Sequence, residues 1–412
     1  MTARHSPYSV LRAVILTFVA LSVASCGPTT ARVTPPPQTT APAAGQVVDA
    51  NVMGGGLTPV PQGVQAAPVK VALLVPMSGP NAALGQAMFQ AAQLAIFDIG
   101  IDNLELVPQD TGATPADAQN AATAALNDGA QLLLGPLLAD SVRAVKGVAK
   151  SRNVNVITFS TDGTLAGDNT FVMGFMPDAQ VDRVVTFAAA KGYRSAAIVA
   201  PRDKYGDAVV QAFENQARRS GITINGALRF SADKTAMQQE IKDFAAKLPP
   251  TQAVFVPVGG SQLDAVTAAL SFNGMTPDKI KYLGTGLWED PAVAGMAGVQ
   301  GGWFAGPSPR SYQTFEAKYK STYGSAPPRL ASLAYDATAL AAVLTRAGVQ
   351  RGTAPSFERV SLTNPNGFAG MDGIFRFNQT GLIERGLSVL EIRQRRVVEV
   401  DASPRTFQAS QY

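Results

Sequence analysis

The chain has 412 residues, 46% of them hydrophobic: too long for one ordinary domain of about 150 residues, and rich enough in apolar material for two cores. Its 34 Lys and Arg face 30 Asp and Glu with no dense basic run, which gives no footing for nucleic-acid binding. The single histidine is His5 and the single cysteine Cys26, so downstream of residue 26 there can be no Ser-His-Asp triad, no Cys-His dyad, no His or Cys metal site and no internal disulfide.

Arg4, His5 and Arg12 form a cationic start, residues 13–23 an apolar stretch, and Val23-Ala24-Ser25-Cys26 follows. The apolar run is shorter than the roughly 20 residues of a membrane helix, so residues 1–25 read as a presequence. Small residues directly before a cysteine resemble the lipobox of bacterial lipoproteins. That resemblance implies cleavage before Cys26, lipidation of Cys26 as a membrane anchor and, with Gly27 next rather than Asp, sorting to the outer membrane. A plain secretory signal with a coincidental cysteine is the alternative. Residues 26–68 are rich in Pro, Thr, Ala, Gln and Gly, with too little periodic apolar material for a core, and read as a disordered tether.

From residue 69 onward, short apolar runs alternate with helical patterns. Residues 71–75 form a continuous apolar strand of the kind covered on both faces, Ser78-Gly79-Pro80-Asn81 supplies a turn, and a helix is expected from Gly85. Strands follow at 104–107, 132–134 and 154–158, with helices at 115–129 and 140–150. Ser78, the 135–141 loop and the 159–162 loop then share the carboxyl rim of one sheet if the strands are parallel. A second series repeats the pattern: helix 178–191, strand 196–200, a polar rim loop 201–206, helix 207–220, strands 222–228, 253–258 and 281–284, and helices 235–247 and 261–272. Helices are expected again at 311–323 and 330–348, and strands at 373–377, 387–392 and 396–400.

This order predicts an α/β fold of two Rossmann-like lobes. The first takes residues 69–175 and 308–368, the second 176–307 and 369–400, with 401–412 as a tail. Three chain crossings between them suit a hinge and a ligand cleft.

KVALLVPMSGPNAALGQAM, LLLGPLLADS, VNVITFSTD and APRDKYGDAV, in this order, resemble the type I periplasmic binding proteins of the leucine/isoleucine/valine-binding family. Within that superfamily, VALLVPMSGP with LLLGPLL looks most like the penicillin-binding protein activator lipoproteins. The resemblance implies a periplasmic, non-enzymatic protein. Either it contacts a penicillin-binding protein and regulates peptidoglycan synthesis, or it receives amino acids or related small polar ligands for an ABC permease. The tether and the second-lobe departure described next favour the first.

Carried over residue by residue, the family's carboxylate-binding loop maps onto Leu137 to Ser141, and the next rim loop onto Phe159, Ser160 and Thr161. Tyr205 falls where the family has an aromatic wall, Ser78 lies on the same rim, and Trp288 sits in the turn after 281–283. That turn reads Gly284-Thr285-Gly286-Leu287-Trp288, where the family places an acidic partner for the ligand's ammonium. Glu289 and Asp290 are near enough in sequence to substitute.

Other motifs have plainer readings. Ser231-Ala232-Asp233-Lys234 matches S-x-x-K, but no K-T-G accompanies it, and Ser231 reads as the cap of the following helix. Gly284-Thr285-Gly286 lacks the third glycine of a dinucleotide fingerprint and no phosphate loop of the G-x-x-x-x-G-K type occurs, so no cofactor is expected. Trp303 and Phe304 read as core or hinge packing.

Overall fold

Five short strands, Val69–Val75, Leu104–Asp110, Leu132–Leu134, Asn155–Thr158 and Thr170–Val172, form the first sheet of this computed structural model, which describes residues 48–49 and 68–407. The presequence, Cys26 and nearly all of the tether lie outside the described residues. All five strands are parallel, with Val69–Val75 between Leu104–Asp110 and Leu132–Leu134. The continuous apolar run of the first strand is explained by its two covers. Val71, Leu73 and Val75 pack with Met88 and Ala92 of helix Ala82–Ile99 and with Leu333 and Leu340 of helix Ala331–Gln350. Ala72 and Leu74 face helices Pro115–Asn127 and Ala139–Ser151 on the other side.

The helix expected from Gly85 starts three residues earlier. Gly85 sits inside it because the helix rides directly over the strand end; a Cβ there would lie 1.8 Å from the Pro76 carbonyl oxygen.

The second sheet has seven strands in the order Arg396–Asp401, Ser388–Arg393, Trp303–Gly306, Lys281–Gly284, Ala253–Phe255, Ser195–Pro201, Thr223–Phe230. Its last five are parallel, and the 388–401 hairpin adds antiparallel to one edge. Helices Pro177–Ala190 and Lys204–Ser220 cover one face, Lys234–Lys247 and Gly260–Phe272 the other. Asp233, not Ser231, caps the helix at Lys234 by accepting from the Ala236 N–H at 2.8 Å; the Ser231 hydroxyl instead accepts from the Asp233 N–H. Helix Lys204–Ser220 begins within the expected rim loop because Asp203 accepts from the Gly206 N–H, so Tyr205 stands in the first helical turn.

The chain passes between the sheets three times: after Thr170–Val172, after Trp303–Gly306 and after Ile383–Arg385. One expectation is corrected here. Strand Gly373–Phe377, expected in the second lobe, belongs to a small sheet with Val48–Asp49, Phe368–Gly370 and Ile383–Arg385. Phe368, Phe375, Phe377 and Ile383 are buried in the first core, and Leu382 bridges Val172, so the third crossing falls near residue 386 rather than after residue 368. Aromatic contacts decide the placement: Phe377 meets Phe171 edge-on at 5.3 Å.

Candidate functional site

In each sheet the strand order reverses at one point, and the loops leaving the carboxyl ends there define a crevice. In the first sheet that point lies between Val69–Val75 and Leu132–Leu134, in the second between Ser195–Pro201 and Ala253–Phe255. The first crossing leaves the carboxyl end of Thr170–Val172, and after four intervening residues Pro177–Ala190 begins. Gln180 in its first turn accepts from the Gly286 N–H at 2.7 Å, just past the carboxyl end of Lys281–Gly284. Both carboxyl rims therefore border the hinge.

The first rim is tightly tied. Asp110 accepts from the N–H groups of Met77 at 2.8 Å, Ser78 at 3.2 Å and Gly112 at 2.8 Å. Burial opposes its charge, yet hydrogen bonds from the Ser78 side chain and these backbone groups outweigh it and hold the carboxyl below its usual range. Ser78 is exposed, but its donors serve Asp110. Gly135, at φ +94, turns where a Cβ would lie 2.1 Å from the Leu74 oxygen. Pro136 then offers its carbonyl to the Thr158 hydroxyl at 2.6 Å and the Phe159 N–H at 3.1 Å.

Leu137 is half-buried and Leu138 is 41% exposed at the start of Ala139–Ser151, a helix whose first turn has no side-chain cap. Ser141 is buried within that helix and Phe159 within the core. Ser160 is also buried: its N–H donates to the Thr158 hydroxyl at 3.1 Å, and its own hydroxyl accepts from the Asp162 N–H at 3.1 Å. Thr161 is the exposed hydroxyl of this loop. Arg143 pairs with Asp140 at 2.6 Å and Asp162 at 2.7 Å, so both of these acids are engaged as well.

On the second rim, Arg229 braces the 201–207 turn, donating to the Pro201 carbonyl at 2.6 Å and the Asp203 carbonyl at 3.1 Å and pairing with Asp207. The half-buried Tyr205 hydroxyl meets Thr285 Oγ1 at 2.9 Å, and burial raises its pKa. Leu287 is 48% exposed at the rim.

Trp288, expected to line the cleft, is fully buried. It donates from Nε1 to the Val258 carbonyl at 3.0 Å and fills space that Gly284 and Gly302 leave free of side chain. Neither nearby acid is free for an ammonium group. Glu289 pairs with Arg329 at 3.1 Å, and Asp290 caps the helix Pro291–Gly295 through the Ala292 N–H at 2.7 Å. Trp303 and Phe304 are buried, as their core reading expected, with Trp303 Nε1 donating to Glu391 at 2.9 Å.

The expected positions thus divide. Ser78, Leu137, Thr161 and Tyr205 lie at the rims with some surface, while Ser141, Phe159, Ser160 and Trp288 support from beneath. Leu138 falls inside the loop expected at Leu137 to Ser141 but was not singled out, and Leu287 was not expected to line the cleft, since an apolar residue in a polar loop carries no signal until the fold shows it uncovered.

The Periplasmic binding protein family model matches residues 68–396 of this chain. The leucine-specific-binding protein of Salmonella typhimurium is 25% identical over 257 residues, 59% of this chain and 67% of that protein. The penicillin-binding protein activator LpoA of Haemophilus ducreyi is 27% identical over 150 residues, 36% of this chain and 25% of that protein. Other matches reach about half the length of the curated relative, 47% and 54% in two of them. The crystal structure of a branched-chain amino acid ABC transporter periplasmic ligand-binding protein from Burkholderia xenovorans has a TM-score of 0.68 at 19% identity, over 82% of this chain and 94% of that one. At that identity the likeness concerns the fold.

Proposed function

The chain belongs to the type I periplasmic binding proteins, and from that membership we propose that it acts as an extracytoplasmic solute receptor, its ligand held between the two switch points and delivered to an ABC permease. Cys26 would anchor it by lipid. The observation favouring a particular ligand class is that the carboxylates near the rims are already engaged: Asp110 by backbone, Asp162 by Arg143, Glu289 by Arg329 and Asp290 by a helix start. A ligand ammonium would find none of these four carboxylates free to pair with it. An acidic or neutral polar group would meet the Thr161 hydroxyl, the uncapped start of Ala139–Ser151 and Tyr205, while an apolar body would lie against Leu138 and Leu287.

Calorimetric titration of the full chain with leucine and with isocaproate, the same skeleton without the amine, tests this. Isocaproate should bind at least as tightly as leucine, and Thr161→Ala should weaken it. Tight leucine binding without isocaproate binding would overturn the ligand class, and heat from neither would remove the support for a receptor.

A second reading rests on the match to LpoA over 150 residues. In it the chain contacts a penicillin-binding protein and raises its rate of peptidoglycan synthesis, with the cleft inherited. Stimulation of a purified penicillin-binding protein by a chain that binds neither probe would favour it.

A further inference from the structure

The hinge contains a charged cluster of which only Glu289 borders a rim. Arg329, just before helix Ala331–Gln350 of the first lobe, reaches Glu289 Oε2 of the second lobe at 3.1 Å and Asp372 Oδ1 of the first at 2.7 Å. Its Nη1 also donates to Ser332 Oγ at 2.8 Å, and Ser332 donates to Asp372 at 2.7 Å. The guanidinium is stacked between Phe175, 4.7 Å away, and Tyr312, 4.3 Å away.

Each of these neighbours belongs to a different crossing. Phe175 lies on the first, Tyr312 in the first turn of helix Pro309–Tyr323 after the second, and Asp372 on the segment leading to the third. Behind Asp372, the wholly buried Asp336 accepts from the Met371 N–H at 2.6 Å and faces Arg385 at 3.5 Å. Glu289 itself lies beside the second crossing; a Cβ on Gly306 would be 3.5 Å from its Oε2. Three carboxylates thus share two guanidinium groups where all three chain crossings meet, Asp336 and Asp372 wholly buried and Arg329 and Glu289 partly so.

We propose that Arg329 is a latch across the hinge: by holding Glu289 of the second lobe together with Asp372 of the first it fixes the lobe angle seen here, and protonation of Glu289 releases it. The groups facing Glu289 are Arg329 from the segment before Ala331–Gln350, Asp372 from the small sheet and Tyr312 from helix Pro309–Tyr323, with Asp336 and Arg385 behind. Burial raises the Glu289 pKa, Arg329 opposes that shift and Asp372 adds to it, so the latch loosens at a pH above that at which an exposed glutamate protonates. The latch requires no ligand, so it stands or falls separately from the receptor proposal.

The test reads the distance between the lobes. In the full chain carrying Cys26→Ser, exposed Gln119 and Lys242 are changed to Cys and spin-labelled, and the separation is measured by pulsed electron paramagnetic resonance at about pH 8 and about pH 5. Acidification should add a second population of separations, and Glu289→Gln should show that population at both pH values. An unchanged wild-type distribution would overturn the latch, and so would a Glu289→Gln protein that still responds to pH. If Glu289→Gln does not fold, Arg329→Met takes its place. It should show the released population at both pH values, and retention of the wild-type distribution and pH response would overturn the proposal.

Discussion

The rims present Leu138, Leu287 and the Thr161 hydroxyl to solvent and tie their acids to backbone or to exposed partners, whereas the hinge beside them buries Asp372 and Asp336 and encloses most of the Arg385 and Arg329 side chains. The contrast lies in what each region must specify. A rim ion pair such as Arg143–Asp140 works in high dielectric and is worth little, so its loop is free to vary. A buried cluster loses hydration, and removing one member strands the others, so it tolerates few arrangements. The hinge holds its geometry by making alternatives costly; the rims leave chemistry open for recognition.

The largest expected effect tests that contrast. Arg329→Ala should cost about 3–5 kcal/mol in urea unfolding, because Glu289 and Asp372 are left without their counter-charge. A loss below about 1 kcal/mol would place the hinge pair with the surface pairs of the rims.

The pH dependence follows next. Burial first, then Asp372, pushes the Asp336 pKa up to about 7, with Arg385 opposing. The folded state thus binds a proton that the unfolded chain releases near pH 4. Stability from this group is full below about pH 4, is lost as pH rises and levels off above about pH 7. From about pH 5 to about pH 7 the wild type should lose roughly 2 kcal/mol through this group, and Asp336→Asn should flatten that slope.

A smaller effect is expected beneath the second rim. Gly284→Ala would place a methyl 2.2 Å from the Trp288 ring, and should cost about 1–3 kcal/mol, with altered tryptophan fluorescence.

The smallest stability effect belongs to the open part of the first rim. Thr161→Ala should change unfolding by no more than about 0.5 kcal/mol yet weaken isocaproate binding about tenfold. Equal losses in both would mean that Thr161 supports the loop.

Most of the strands and helices were legible in the sequence, because continuous apolar runs and helical spacing report local burial on two faces. Val71 to Val75 read as a doubly covered strand and prove to be one, with alternate residues in separate cores. Element starts were less legible where a side chain made the decision, as at Asp203 and Asp233. The order of units also carried the family, whose model spans residues 68–396.

Sequence by itself therefore determined the alternation of strand and helix, the rim positions of Ser78, Thr161 and Tyr205, and the lack of an acid in the turn at Gly284 to Leu287. Tertiary structure alone decided three matters. It drew Phe368 to Ile383 into the first core, buried Trp288 beneath its own turn, and gathered Glu289, Arg329, Asp336, Asp372 and Arg385 at the hinge. The physical reason is range: periodicity records which face of a segment is covered, but a buried ion cluster is assembled from residues nearly a hundred positions apart, and nothing in the neighbours of each along the chain records its partners.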